Sequence, residues 1–315
     1  MIIPENRYNY HKKKKRRIPV FLVILLFVII FASLTFIGLK AKVSDNNVTS
    51  KKIIPKEITL ENLWTDSKYK ELSERCEEKL LLNPLDPESL IYNGFAYFHL
   101  GIAQFTLEDQ LPLLDAAIIN LRKALLIKSE PLAGKVNYIL GKAYYHKGRF
   151  YLDQAIYYLE KSIELEYINI DTYKYLGLSY SELGFYEEGI KLFLKTIDND
   201  KDDMILLVIG QTYHKLGDNK NSKLYLKRAI DINDDFRVEI KSRFLLGKIF
   251  IEEDELEKAE EQYNLILDKN PGSADAHYYI GEIYSERDNT IKARAEWRKA
   301  LELDPSHYGA LLKLH

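Results

Sequence analysis

The side chains best suited to chemistry in this chain are its histidines and its many carboxylates. There are seven histidines: His11, His99, His146, His214, His277, His307 and His315. No two of them have a metal-ligand spacing such as His-x-x-x-His. No glycine-rich phosphate loop and no serine nucleophile elbow occurs, and acidic pairs such as Glu252-Glu253 are adjacent, so their side chains face different directions. We therefore expect no enzyme activity, no catalytic residues, no metal site and no cofactor.

The remaining chemically active side chains have structural explanations. Cys76 is the only cysteine, so an intrachain disulfide is impossible. Unpaired cysteine is usually buried, and we expect Cys76 to be a small hydrophobic residue of a helix face rather than a reactive thiol. His99, His146 and His214 fall near the ends of predicted helices, where a cation would interact favourably with the helix dipole.

Charge is unevenly distributed along the 315 residues, whose net charge is −2. Residues 1–17 carry seven Lys/Arg and one Asp/Glu, so the remaining chain holds 38 basic and 46 acidic residues, a balance of −8. An acidic body argues against nucleic acid as a partner.

The basic residues 1–17 directly precede Ile18–Leu39, which are 22 residues without a charge. As a helix this stretch would be about 33 Å long, enough to cross the hydrocarbon core of a bilayer. It is longer than the apolar region of a cleaved signal peptide and offers no good small-residue cleavage site, which favours an uncleaved anchor. The positive cluster predicts a cytoplasmic N-terminus, an inner-membrane span at 18–39, and a polar linker at 40–59 that leads to an extracytoplasmic body.

A repeated unit organises that body. Its clearest copy contains Ile280-Gly281, Tyr284, Ala293, Trp297, Ala300 and Pro305. Thirty-four residues upstream the same order recurs as Leu246-Gly247, Phe250, Ala259, Tyr263, Ile266 and Pro271. A fixed period of this length is typical of a solenoid of stacked units. The small residues predict close approach of two helices, and the prolines predict the end of the second helix.

This order of residues resembles the tetratricopeptide repeat, a helix–turn–helix unit of about 34 residues. The resemblance covers about residues 60–307 and implies an all-α, right-handed superhelical solenoid. Residues 60–86 are predicted to be a partial, capping repeat. Six repeats are predicted at 87–133, 134–169, 170–202, 203–239, 240–273 and 274–307, and a short C-terminal helix at 308–315.

One repeat position is predicted to end each first helix in a left-handed conformation. Glycine occupies it at Gly101, Gly148, Gly184 and Gly217, and aspartate occupies it at Asp254 and Asp288.

Two segments depart from the regular pattern. Repeat one carries an insertion of about eleven residues near Phe105–Asp115, which either extends its helices or forms an exposed apolar docking patch. The C-terminal residues include Tyr308, Leu311, Leu312 and Leu314, although a terminal repeat usually needs a polar cap. Self-association through this end is therefore a hypothesis.

In proteins of the family that the chain resembles, the first helices line a concave groove that binds partner peptides. Repeat positions two, five, nine and twelve are expected there. They include Phe98, Lys135, Tyr138, Lys142, Tyr145, Lys174, Gln211, His214, Phe244, Lys248 and Tyr278. Aromatic and basic side chains together suit an extended, partly acidic peptide, but several of these residues could instead pack on a neighbouring helix. No ninth position is Asn, so a clamp for chaperone C-terminal carboxylates is not expected.

The sequence thus predicts a non-enzymatic, membrane-anchored scaffold that binds protein or peptide partners, in bacterial envelope assembly or secretion. Two alternatives stay open, namely an organelle import-type receptor with cytosolic repeats and a cytochrome-maturation accessory protein. An enzyme with a regulatory repeat array would need a catalytic domain, for which the repeats and the anchor leave no room.

Overall fold

The computed structural model describes residues 59–127, 132–197, 202–232 and 235–314. The predicted basic N-terminus, the span Ile18–Leu39 and all but the last residue of the 40–59 linker lie outside the described residues. Among the residues that are described, no helix has both the length and the apolar character needed to cross a membrane.

All regular elements in the described ranges are helices, as predicted. The first eight are α1 (Leu60–Thr65), α2 (Tyr69–Leu82), α3 (Pro87–Ile102), α4 (Leu107–Leu126), α5 (Ala133–His146), α6 (Leu152–Glu164), α7 (Thr172–Leu183) and α8 (Tyr186–Ile197). The others are α9 (Asp203–Leu216), α10 (Asn219–Ile232), α11 (Phe236–Glu252), α12 (Leu256–Lys269), α13 (Ala274–Glu286), α14 (Thr290–Leu303) and α15 (Tyr308–Leu314).

These helices pack as hairpins that follow one another along the chain. The pairs are α3 with α4, α5 with α6, α7 with α8, α9 with α10, α11 with α12, and α13 with α14. The second helix of each pair also contacts the first helix of the next pair, and the first helices α3, α5 and α7 contact in succession, as do α9 and α11. The described residues therefore form an all-α repeat solenoid whose first helices share one face.

Several first helices are preceded by an N-cap residue whose side chain accepts a hydrogen bond from a backbone N–H group of the first turn. Asp86 accepts from the amide of Ser89, with Pro87 in the first turn of the helix. Asp202 accepts from two amides at the start of α9, and Ser273 accepts from Ala276 at the start of α13.

The predicted left-handed turn position is confirmed in five repeats and wrong in the first. Gly148, Gly184 and Gly217 have φ of 101°, 94° and 87°, and Asp254 and Asp288 both have φ of 59°. Gly101 lies inside α3 instead and packs against Leu113 and Leu114 of α4. The insertion moves the turn beyond Gly101, because α3 continues to Ile102 and α4 begins only at Leu107.

The close approach of the two helices within a repeat is confirmed in all six repeats. In each repeat, one glycine in the middle of the first helix faces a large side chain of the second helix, and a Cβ atom added to that glycine would lie within 2.7 Å of it. The pairs are Gly94–Leu121, Gly141–Leu159, Gly177–Phe193, Gly210–Leu226, Gly247–Tyr263 and Gly281–Trp297. Only glycine leaves room for these side chains, which explains why it is present in the middle of a helix.

The insertion of repeat one lengthens the second helix. Residues from Leu107 onward belong to the 20-residue helix α4, in which Leu114 is buried. The extended-helix alternative therefore describes most of the insertion. Phe105 and Leu107 at its tip are exposed.

The C-terminal helix α15 covers the last repeat. Its Ala310 is buried with Trp297 and Ala300 of α14, and Lys313 Nζ lies 2.8 Å from Glu282 Oε2 of α13. Tyr308 and Leu312 remain exposed on the outer side of α15.

Candidate functional site

The first-helix face of repeats one to three is occupied by its own side chains. Lys142 Nζ lies 2.8 Å from Asp171 Oδ2 and 3.0 Å from the hydroxyl of Tyr138, which itself donates to Asp171 Oδ1. The ammonium group is also 4.7–5.7 Å from the ring centroids of Phe98, Tyr138 and Tyr175. Burial raises the pKa of Tyr138, and its hydrogen bond to Asp171 raises that pKa further. This cluster is a satisfied internal network that joins the first three repeats.

Other predicted groove residues in this half also have internal partners. The Tyr145 hydroxyl donates to Glu182 Oε1 at 3.1 Å, and Lys174 Nζ lies 3.3 Å from Asp202 Oδ2. Lys135 Nζ is 4.5 Å from the ring centroid of Trp64. Phe98, predicted to line the groove, is fully buried instead because the cluster around Lys142 covers it.

Two histidines in this half are neutral near pH 7, so their predicted role as helix-end cations is wrong. Burial, assisted by the nearby Lys142 and Lys135, lowers the pKa of His99 to about 4. Burial and Lys142 lower the pKa of His146 to about 4 in the same way. Their contacts are with rings: His99 stacks on Tyr69, and His146 Nε2 lies 3.3 Å from the Tyr175 hydroxyl.

An open cleft of about 620 Å³ lies on the first-helix face of repeats four to six, between α9, α11 and α13. Its lining combines basic, aromatic and aliphatic side chains: Gln211, His214, Lys215, Lys241, Phe244, Leu245, Lys248, Asp275 and Tyr279. Gln211, His214, Phe244 and Lys248 were predicted to line the groove, and the structure brings these four together. Tyr278 packs elsewhere, against Gly309 and the His307 ring beneath α15.

The cations of this cleft are poorly neutralised. No carboxylate in the described part of the chain lies within ion-pair distance of Lys215 or Lys241, and both side chains are exposed. Lys248 Nζ is 3.9 Å from Glu252 Oε1, an oxygen that is also 3.8 Å from His214 Nε2. The cleft carboxylate, Asp275, lies 3.1 Å from His307 Nε2.

The floor of the cleft is a stack of aromatic rings. Tyr279 lies parallel to Tyr263 with ring centroids 5.1 Å apart, and Phe244 is 5.9 Å from Tyr263. Tyr263 is fully buried over Gly247, and burial raises the pKa of both Tyr263 and Tyr279. Because the ring of Tyr263 is fixed by packing, the half-buried rings of Phe244 and Tyr279 form a firm apolar surface.

The sequence prediction missed part of the lining. Lys241 occupies repeat position two, one of the positions expected in the groove, so the period alone could have found it. Leu245 and Tyr279 both occupy position six, one residue beyond the predicted position, and Lys215 follows His214 at position thirteen. The period contains no signal for these side chains, since their exposure depends on how the neighbouring helices are offset.

Other chemically active groups of the described residues lie away from this cleft. Burial raises the pKa of Cys76 to about 12, so the thiol is protonated and buried, as expected of a small hydrophobic residue. No group of three or more His, Cys, Asp or Glu residues within the described ranges is arranged to hold a metal ion.

Comparisons with known proteins agree with this architecture. Residues 205–236 and 274–307 each match a family model described as tetratricopeptide repeat. These matches confirm that the chain contains tetratricopeptide repeats. No curated protein is similar enough in sequence to count as a relative.

Solved structures of two proteins show the same fold. The C-terminal part of a TPR repeat-containing protein from Cytophaga hutchinsonii is 16% identical, with 81% of this chain and 98% of that chain covered and a TM-score of 0.62. For pilF of Pseudomonas aeruginosa the identity is 16%, the coverage 70% and 95%, and the TM-score 0.51. YrrB, described as a TPR protein with an unusual peptide-binding site, is 25% identical over 61% of this chain and 96% of its own, with a TM-score of 0.48.

Proposed function

We propose that this protein is a non-enzymatic scaffold that holds a segment of a partner protein in the cleft between α9, α11 and α13. One contrast carries the proposal. The first-helix face is filled by its own side chains in repeats one to three, whereas in repeats four to six it leaves an open cleft with an aromatic floor. A concave surface with an apolar floor and a few polar groups in its lining is the usual form of a binding site.

Site-specific photocrosslinking tests this proposal. A photoreactive phenylalanine analogue at position 244 should capture a partner in cells, because Phe244 lies in the cleft. The same analogue at Tyr157, an exposed residue of the second helix α6, is the control. The captured protein should then bind the purified chain, and Phe244→Ala should abolish that binding. Equal capture from positions 244 and 157 would contradict the proposal.

We also propose that Ile18–Leu39 anchors the protein in the inner membrane, with the repeats outside the cytoplasm in a role in envelope assembly or secretion. The support is the sequence alone: the basic run Lys12–Arg17 directly precedes 22 uncharged residues, which is the pattern of a span with a cytoplasmic N-terminus. A periplasm-dependent reporter fused to the C-terminus should be active. Activity of a cytoplasm-dependent reporter alone would overturn the proposed orientation.

A further inference from the structure

The cations on the first-helix face fall into two groups. Outside the cleft, Lys142 and Lys174 pair with Asp171 and Asp202 at the start of the next first helix, Lys313 pairs with Glu282, and the half-buried Lys135 lies over the ring of Trp64. Inside the cleft, no carboxylate of the described residues lies within ion-pair distance of the exposed Lys215 or Lys241, and Asp235, the carboxylate whose pKa Lys241 helps to lower, is paired with Arg237. The exposed lysines of this face without an ion-pair partner, Lys215 and Lys241, therefore both lie in the cleft of repeats four to six.

This local positive charge stands out against the rest of the molecule. The chain after residue 17 carries a balance of −8. A basic cleft in an acidic body attracts anionic groups to one place and repels them elsewhere, which favours both the rate and the register of association. Carboxylates are the anionic groups that a partner polypeptide can supply.

The apolar part of the cleft adds a second requirement for the ligand, namely an apolar side chain. Phe244, Leu245 and Tyr279 offer contact area beside the lysines, and Tyr263 supports two of these side chains from below. A surface that is already ordered loses little conformational entropy when a ligand binds. An aromatic or large aliphatic side chain of the partner would replace water on this floor.

From these two observations we infer that the cleft takes an acidic segment of a partner polypeptide. Its carboxylates pair with Lys215 and Lys241, and one aromatic or large aliphatic side chain lies on Phe244 and Tyr279. This inference rests on the proposed function. A single-stranded nucleic acid also combines negative charge with stacking groups, but the net charge of −8 after residue 17 disfavours a long polyanion.

A displayed library of random dodecapeptides, selected on the full chain and counter-selected on its Phe244→Ala variant, tests the inference. The enriched peptides should carry an excess of Asp and Glu around one aromatic or large aliphatic residue. A synthetic enriched peptide should bind at least about tenfold more weakly to Lys215→Gln/Lys241→Gln, since two charge-assisted contacts are lost. Its affinity should also fall as salt is raised.

The control variant is Lys220→Gln/Lys227→Gln, which makes the same change in net charge on exposed positions of α10. It should bind the peptide like the unaltered chain, and circular dichroism should show both variants folded. Enrichment of neutral or basic peptides would overturn the acidic assignment and leave the proposed function standing. The same would follow if Lys215→Gln/Lys241→Gln and Lys220→Gln/Lys227→Gln lost equal peptide affinity. No enrichment over the Phe244→Ala counter-selection would overturn both. Tighter binding of a 20-nucleotide oligothymidine than of any enriched peptide would assign the cleft to nucleic acid instead.

Discussion

Gly247 illustrates at the scale of one residue how a missing side chain determines the packing of a repeat. A Cβ atom at this position would lie 2.5 Å from Cζ of Tyr263 and 2.9 Å from two further atoms of that ring. Tyr263 is fully buried, so its ring has no free space to move into. The floor of the candidate cleft therefore depends on the absence of one methyl group.

Gly247→Ala should destabilise the protein although alanine is the better helix former. Helix propensity alone would stabilise α11 by about 1 kcal/mol. Overpacking against a ring that cannot move costs about 1–3 kcal/mol, and displacing Tyr263 would also disturb its contacts with Phe244 and Tyr279. Urea unfolding should show a lower midpoint for Gly247→Ala and peptide binding should weaken.

Gly272→Ala, in the turn between α12 and α13, is the control for the added methyl group, because only one side-chain atom, 3.7 Å away, is near that group. Its unfolding midpoint should be close to that of the unaltered chain. An unchanged or higher midpoint for Gly247→Ala would show that the ring of Tyr263 moves freely.

At the scale of elements, a buried carboxylate joins α11 to the end of α12. Glu239 of α11 is 2% exposed and lies 2.8 Å from Arg243 Nε and 2.6 Å from Lys269 Nζ of α12. Burial by itself would raise the pKa of Glu239, but hydrogen bonds from Lys269 and Arg243 outweigh burial and lower that pKa below the ordinary value of 4.5. The charged form is thus favoured in the folded protein.

Glu239→Gln should lower the free energy of unfolding at pH 7 by about 1.5–3 kcal/mol, the range for hydrogen bonds to charged groups. Because the folded-state pKa is depressed, the stabilisation by Glu239 is fully present above pH 4.5 and is lost as the pH falls through the folded-state pKa. The difference in the free energy of unfolding between the unaltered chain and Glu239→Gln, measured by urea unfolding, should therefore shrink below pH 4.5. Glu261→Gln, at an exposed position of α12, should show no such dependence of stability on pH. A loss of stability in Glu239→Gln that does not change with pH would refute the ionic explanation.

The order and pairing of the helices could be predicted from the sequence, because glycine in the middle of a helix and a large residue on its partner are local signals. Which side chains cover a given groove residue, and therefore how exposed that residue is, could not be predicted from the sequence. Phe98 and Phe244 share the aromatic character expected in the groove, yet Phe98 is buried by the cluster around Lys142 and Phe244 is open. A repeat period specifies the face of a helix on which a residue lies, whereas its exposure depends on side chains from the neighbouring repeats.

At the scale of the whole molecule, the described repeats contact mainly their neighbours. Stability in such an array is the sum of the repeats and their interfaces, so a local defect should remain local. Trp297 of α14, which packs over Gly281 and beside α15, is a large buried side chain near the C-terminal end of the array.

Trp297→Ala should remove about 3–5 kcal/mol from the packing of the last repeat. Hydrogen exchange followed by mass spectrometry should show loss of amide protection in α13, α14 and α15. The amides of α3–α6 should keep their protection, as they should in Leu224→Ala, a control at a half-exposed residue of α10. A uniform loss of protection along all described helices would show that the array unfolds as one cooperative unit instead.

The ion pairs between neighbouring repeats have a consequence for how the number of repeats in such a chain can change. Lys142 meets Asp171 at one junction, Lys174 meets Asp202 at the next, and Glu282 meets Lys313 near the C-terminal end. Each charged partner is supplied by a specific neighbour, so the units are not interchangeable even though their backbones are alike. Deleting or duplicating a single unit would separate these partners, and compensating substitutions at the new boundary would be needed to restore the ion pairs.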